Sequence, residues 1–532
     1  MTPRMRLLAT GVAVVVAMVA ADTALAQKSG GILKVYHRDS PGSMSILEEA
    51  TNSTEIPMMG VFNNLVLYRQ DEPQNSIETI VPDLATSWSW SEDGTQLTFR
   101  LRQGVTWHDG KPFTARDVRC TWDLLLDKAE AKLRANPRKA WYQNIDEVTA
   151  TGDHEATFHL KRPQPALIAL LASGYAPIYP CHVAPKDMRL HPIGTGPFKF
   201  AEFKANEYIK VVRNPDYWKK DRPYLDGIEY TIIPNRSTAI LSFIAGKFDL
   251  TFPFEVTVPL LKDVQSQAPQ AICELRPANA YANLIVNRDA PPFDNPEMRR
   301  ALALALDRKA FIDILTQGAG GIGGAMEPPP EGVWGLPPEI LSSLPGYGPD
   351  IEKNRAEARQ ILQKLGYGPD RRLAVKVSAR NIPIFRDPAV ILIDQLKEIF
   401  VDGELEAVDT ASWYPKVNRK DYKLGLNLTG VGTDDPDAQF YENFACGSQR
   451  NYTGYCNPEL QKLFEQQSME TDQQKRKRLV WEIDRRLQED QARPIIYHLR
   501  FATCWQPRLK GLKIMVNSVF NGWRFEDIWL DE

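Results

Sequence analysis

Several features are scarce in this chain of 532 residues, and each scarcity excludes something. An excess of charge of one sign is nearly absent: the formal net charge is −3 and the isoelectric point about 6.3. No global positive field is present to recruit nucleic acid or an anionic membrane. Histidine is rare, with seven residues, and none stands at zinc-type spacing to the six cysteines. No C-x-x-C occurs, and Cys181-His182, being adjacent, converge poorly on one ion, so no metal or cofactor is expected. A Gly-x-Ser-x-Gly elbow is missing beside His108-Asp109, and Cys120 has no evident base. Gly194-Thr195-Gly196-Pro197 lacks the third glycine and the Lys-Ser/Thr end of a phosphate loop. The 33 Gly and 39 Pro are too few for a low-complexity or collagen-like chain. Long apolar runs are also missing: the longest, residues 7–21, is about 15 residues, short of the roughly 20 that span a membrane.

That short run does have a reading. Arg4 and Arg6 precede it and Ala24-Leu25-Ala26 follows, the order of a cleavable secretory signal peptide over residues 1–26. Cleavage before Gln27 leaves 506 residues with a charge of −4. No cysteine at that junction can carry a lipid, so the expected location is the periplasm, without a lipid anchor. Export makes the cysteines a candidate disulfide framework. Of the 15 ways to pair six, only Cys446 with Cys456 is local, across a loop holding Gly447, Asn451 and Gly454.

The length accommodates three or so domains at roughly 100–200 residues each. Residues 96–102 alternate strictly, with Leu97, Phe99 and Leu101 on one face, and a turn at Ser91-Glu92-Asp93-Gly94 predicts a hairpin with Trp88 and Trp90. Further strands are predicted at 32–36, 155–160, 208–212, 228–233 and 373–377. Asn295-Pro296, Asp387-Pro388 and Asn457-Pro458 mark helix starts, and a helix over 355–365 stops at Gly366. This mixture indicates α/β lobes rather than a sandwich. The Pro/Gly-rich stretch 318–349 is the longest irregular piece.

From residue 81 the motifs become specific. Val81-Pro82-Asp83-Leu84-Ala85, Trp107-His108-Asp109-Gly110-Lys111-Pro112-Phe113 and Gly194-Thr195-Gly196-Pro197-Phe198 stand in order. Arg213-Asn214-Pro215-Asp216-Tyr217-Trp218, Gly246-Lys247-Phe248-Asp249 and Pro292-Phe293-Asp294-Asn295-Pro296 follow. Over nearly the whole mature chain this resembles the family-5 solute-binding proteins, the extracytoplasmic oligopeptide, dipeptide and nickel receptors of ABC importers. The resemblance implies an α/β fold of two lobes joined by hinge strands, with a small solute or short peptide enclosed between them. The first lobe is expected at 27–287 plus 498–532, with an extra subdomain at about 70–190, and the second at 288–497. It implies a monomer that delivers its ligand to the membrane permease subunits of an importer by closing around it.

The resemblance also points to ligand-binding residues. Arg386, just before Asp387-Pro388, falls near the arginine that binds a ligand carboxylate in dipeptide receptors, and a helix N-terminus there would assist it. Peptide receptors place an aspartate four residues before a proline to hold the α-amine. Counting back from Pro436 gives Gly432, with Asp434 and Asp435 displaced toward the proline. An anionic ligand without a standard peptide N-terminus is therefore expected, unless a register shift lets Asp434 serve. Tyr36, Phe252, Phe254, Trp334 and above all Trp413 are candidate aromatic walls. The alternative is an exported hydrolase using Asp434 and Asp435, although adjacent strand carboxylates point to opposite faces. A sensory or chaperone-like second role is also compatible with these residues.

Overall fold

The computed structural model describes residues 27–531; the expected signal peptide lies outside the described residues. The chain enters through Ile32–His37, whose parallel partner is Gly227–Ile232, followed outward by Tyr208–Arg213 and Phe198–Lys204 in one four-stranded sheet. Between these strands the chain makes an excursion into a second four-stranded sheet, ordered Ala85–Trp90, Gln96–Leu101, Glu155–Leu160, Ile145–Thr151. The predicted hairpin is its first pair. The helix Ala115–Leu125 covers this sheet, started by a capping box in which Thr114 and Asp117 satisfy each other's backbone.

The third sheet carries the order Val401–Val408, Leu373–Arg380, Leu424–Gly430, Ile272–Val286, Ile495–Trp505. Its first three strands are parallel and its last two antiparallel. Ile272–Val286 and Ile495–Trp505 are long because they connect the lobes. One end is tied by the Cys273–Cys504 disulfide and bridges to the first lobe through Trp505–Leu250 and Ala502–Val256. The other end pairs with Leu424–Gly430 in the second lobe. Between them the ladder slips register from Pro277 to Tyr281, around Asn279 with φ +47°. The C-terminal tail returns to the first lobe, where Arg524 donates to Asp83 at 3.0 Å and Asn517 exchanges bonds with Asn75.

The expected strands are all present within a residue or three of their bounds. Asn295 and Asn457 cap Pro296–Leu304 and Pro458–Met469 as expected, and Gly366 adopts φ +86° after Ile351–Lys364. One helix start is corrected. Pro383, not Pro388, takes the first helical position, and Pro388 lies inside Pro383–Lys397, because Ile384 and Phe385 are apolar and buried in the added turn. Cys446–Cys456 pair as expected, and the others pair as Cys120–Cys181 and Cys273–Cys504. The stretch 318–349 holds one short helix, Pro338–Ser342, and is anchored where Asp484 accepts the Ala325 N–H at 2.8 Å. His108 accepts from the Gly194 N–H and donates to the Gly196 carbonyl, and burial lowers its pKa to about 4. A Cβ at Gly194 or Gly196 would meet backbone of residues 60–62 at 1.9–2.5 Å, so this motif is a close backbone approach. Among the described residues no helix is long and apolar enough to cross a membrane.

Candidate functional site between the lobes

Two strands from different lobes end at the same seam. Ile32–His37 delivers Arg38 and Asp39, and Leu373–Arg380 delivers Arg380, which is 1% exposed. The helix Asn52–Met59 begins there as well, with Thr51 as its N-cap accepting the Ser53 N–H at 3.2 Å. Arg380 reaches across the seam to the Asp39 carboxylate, to Ser53 Oγ at 3.0 Å and to Thr51 Oγ1 at 3.1 Å. On its own side its Nε donates to Thr410 Oγ1 at 2.6 Å. Ser53 Oγ and Thr410 Oγ1 in turn donate to Asp39. Two arginines and these hydroxyls hold the Asp39 carboxyl well below the usual carboxylate range, despite its burial.

Arg38 is the less satisfied cation. It stands 3.7 Å from the Asp39 carboxylate, donates to Ser53 Oγ at 3.4 Å and to Asn52 Oδ1, and lies over the rings of Phe252 and Phe254 at 5.4 and 5.8 Å. Burial and the neighbouring Arg380 lower its pKa to about 10. Arg38, Arg380 and Arg450 all line a cavity of about 40 Å³ together with Phe254, Phe385 and Tyr414. Arg450 is paired with the buried Glu442, and Glu255, which also acts on Arg38, is engaged by Arg236 at 3.4 Å. Arg38 and Arg380 therefore share the single Asp39 carboxylate, while Arg450 pairs with Glu442 and Arg236 spans Glu255 and Asp387.

This inner cavity shares Ala50, Tyr414 and Arg450 with an outer one of about 510 Å³. Its walls come from residues 42–50 and 134–137 on one side and 410–419 and 449–452 on the other. Its carboxylates are engaged: Glu48 accepts from Arg189 at 2.6 Å and Glu49 from Arg134. Arg419, also in the lining, is exposed. Among the described residues no group of three or more His, Cys, Asp or Glu is placed to hold a metal ion.

The residues singled out in the sequence fall in different places. Phe254 lines the inner cavity. Trp413 does not: it is fully buried with Ile285, Val417, Tyr422 and Tyr452, and its helix neighbour Tyr414 faces the cavity instead. Tyr36 is buried edge-on against Phe248 at 5.8 Å, and Phe252 is buried beneath Arg38. Trp334 donates to the Asp434 carbonyl at 3.1 Å beneath the Arg476 guanidinium. Arg386 is exposed, with only Asn381 Oδ1 within 3.5 Å, and stands one turn inside its helix.

The position expected to carry an aspartate has no room for one. A Cβ on Gly432 would lie 2.5 Å from Ser173 Oγ and 2.6 Å from the Trp141 ring, and Ser173 donates to its carbonyl at 3.0 Å. Asp434 is covered, has one oxygen without a partner, and has its pKa raised by burial to about 7. Asp435 caps Pro436–Asn443 and accepts both arms of Arg476, at 2.9 and 2.8 Å. Nothing in this arrangement supports the hydrolase alternative, which needs Asp434 and Asp435 as a working pair. Arg38, Asp39, Thr410, Tyr414 and Arg380 were not singled out in the sequence. Their signal was position: each arginine directly follows or ends a strand on the carboxyl side, where open α/β sheets place ligands.

Residues 79–451 match the model of the bacterial extracellular solute-binding proteins, family 5. A di/tripeptide-binding protein 1 of Pseudomonas aeruginosa is 28% identical over 480 residues, 85% of each chain. The oligopeptide-binding protein AppA of Bacillus subtilis, solved with a nonapeptide, superposes with a TM-score of 0.82 at 24% identity, over 95% of this chain and all of that one. AgaA from A. tumefaciens R10, solved with agropinic acid, superposes with a TM-score of 0.80 at 22% identity, over 94% and 99%.

Proposed function

We propose that this chain, which belongs to the family-5 bacterial extracellular solute-binding proteins, captures a small anionic solute between its lobes and hands it to an ABC importer. The observation that carries this reading is the meeting of Arg38 and Arg380, from strand ends of opposite lobes, at one shared carboxylate beside a cavity that both arginines line. A charge-assisted bond to an anion there contributes about 1.5–3 kcal/mol. Closure places Arg380 against Thr51, Ser53 and Asp39, so an anion that bridges both arginines binds the closed form better than the open one and shifts the population toward it. The importer reads that closed form.

The filled space at Gly432 removes the usual seat for a peptide α-amine, and supports a solute recognised by its anion rather than by an ammonium group. In this reading Arg380 takes the role first considered for Arg386, and Phe254 and Tyr414 supply the aromatic walls. The lobes divide near 287/288 and 497/498, within or beside the two long connecting strands. The protein works as a periplasmic monomer, released from its signal peptide and not anchored by lipid. Its disulfides suit that compartment. Titration calorimetry on matched free and N-acetylated di- and tripeptides tests the claim. Binding that survives acetylation and is lost on amidating the carboxylate is expected; tight binding that requires the free amine would overturn it.

A further inference from the structure

Behind Phe254 lies a second cavity, of about 30 Å³, between the connecting strands and the C-terminal tail. Its apolar walls are Phe254, Phe501, Ile514, Met515, Val519 and Trp523, all less than a tenth exposed. Phe254 is the one residue common to this lining and that of the inner interlobe cavity. Its backbone is left-handed, with φ +70°, a conformation a bulky side chain adopts only when its surroundings dictate it. The ring stands edge-on to Phe501 at 4.4 Å and under the Arg38 guanidinium at 5.8 Å, as a partition between an arginine-lined space and an oily one. Walls of this kind accept an apolar group, while Thr503 and Ser518 add polar edges. Exposed Arg276 and Lys513 also belong to the lining, which limits its apolar part to a short group.

Resting on the anion-binding reading above, we propose that the solute site continues past Phe254 into this chamber, so that the solute is an anion carrying a short branched apolar arm. The anion sits at Arg38 and Arg380 and the arm displaces the void beside Phe254. Because Pro277 and Ala278 also line the chamber, the arm lies against the connecting strand where its register slips.

Calorimetry of the mature protein with N-acetylglycine, N-acetylalanine and N-acetylvaline tests this, since all three are monoanions without an amine. Each buried methylene adds favourable transfer energy, so affinity rises at least roughly tenfold from the glycine to the valine derivative. Val519→Phe fills the chamber and flattens the series. Phe254→Gly, which suits the left-handed backbone, removes the partition and moves the optimum to N-acetylleucine or N-acetylphenylalanine. Equal binding of all three compounds, or a slope that persists in Val519→Phe together with an unmoved optimum in Phe254→Gly, overturns the apolar arm alone. Failure of every compound to bind overturns the anion reading and the arm with it.

Discussion

Two buried acid–arginine pairs in this protein use the same chemistry for different ends. Asp435 and Arg476 both belong to the second lobe. Their bond is bidentate, and Arg476 is further held by the Gln467 carbonyl at 3.1 Å and the face of Trp334 at 4.8 Å. Asp39 and Arg380 come from opposite sides of the cleft, and their carboxylate is shared with Ser53 and Thr410. A pair inside one lobe persists whatever the hinge does. A pair across the cleft exists only when the lobes meet, so its partners can be exchanged for a solute. Burial makes both pairs costly to break one-sidedly, but only the second couples that cost to closure.

The largest effect tests the first pair. Arg476→Ala leaves Asp435 and Asp437 buried without their cation, and should lower stability by about 3–5 kcal/mol in urea unfolding. A loss below ~1 kcal/mol would mean that the Asp435–Arg476 pair does not hold the second lobe together. Arg380→Met comes next. It should weaken anion binding by roughly 10–100-fold, equivalent to about 1.5–3 kcal/mol, and leave a more open particle in X-ray scattering. An unchanged affinity would remove Arg380 from the site. Asp387→Asn is a milder probe of the seam, because Arg236 also reaches across it, to Asp387 at 3.2 Å, where Asp387 is 43% exposed. The expected change in affinity is within about fivefold, from an ion pair worth about 0.2–1 kcal/mol, and it should fade in high salt.

A pH-dependent effect contrasts Asp434 with its neighbour Asp435. Asp434 has no arginine; it faces Asn517, Glu327 and Asp435, and its pKa is raised from 3.8 to about 7. A raised carboxyl pKa stabilises the fold fully below the unfolded value, and that contribution is lost as pH climbs through the folded one. Asp434→Asn should therefore gain on the parent steadily from pH 4 to 7 in thermal melts. A difference that stays constant with pH would contradict the shift.

Most of the fold was legible because its signals are local. Asn295-Pro296 and Asn457-Pro458 carry their own caps, and the alternation at 96–102 names its buried face without help from the rest of the chain. The helix at Pro383 shows the limit: two prolines compete for the first position, and burial of Ile384 and Phe385 decides. The site was less legible for the same reason. On the helix Thr410–Asn418 a step of one residue turns the side chain by about 100°, so Trp413 enters the core while Tyr414 faces the cavity. Arg380 carries no motif; it matters because a strand from the other lobe ends beside it. The missing aspartate at Gly432 was visible as an absence, but what fills its space, Trp141 and Ser173, comes from hundreds of residues away.

The most direct test of the account is mass spectrometry of the small molecules released when protein purified from its native compartment is denatured, run beside Arg380→Met. The account expects one intact anionic compound without a free α-amine, carried by the parent and depleted in the variant. A peptide with a free N-terminus, carried equally by both, would contradict it.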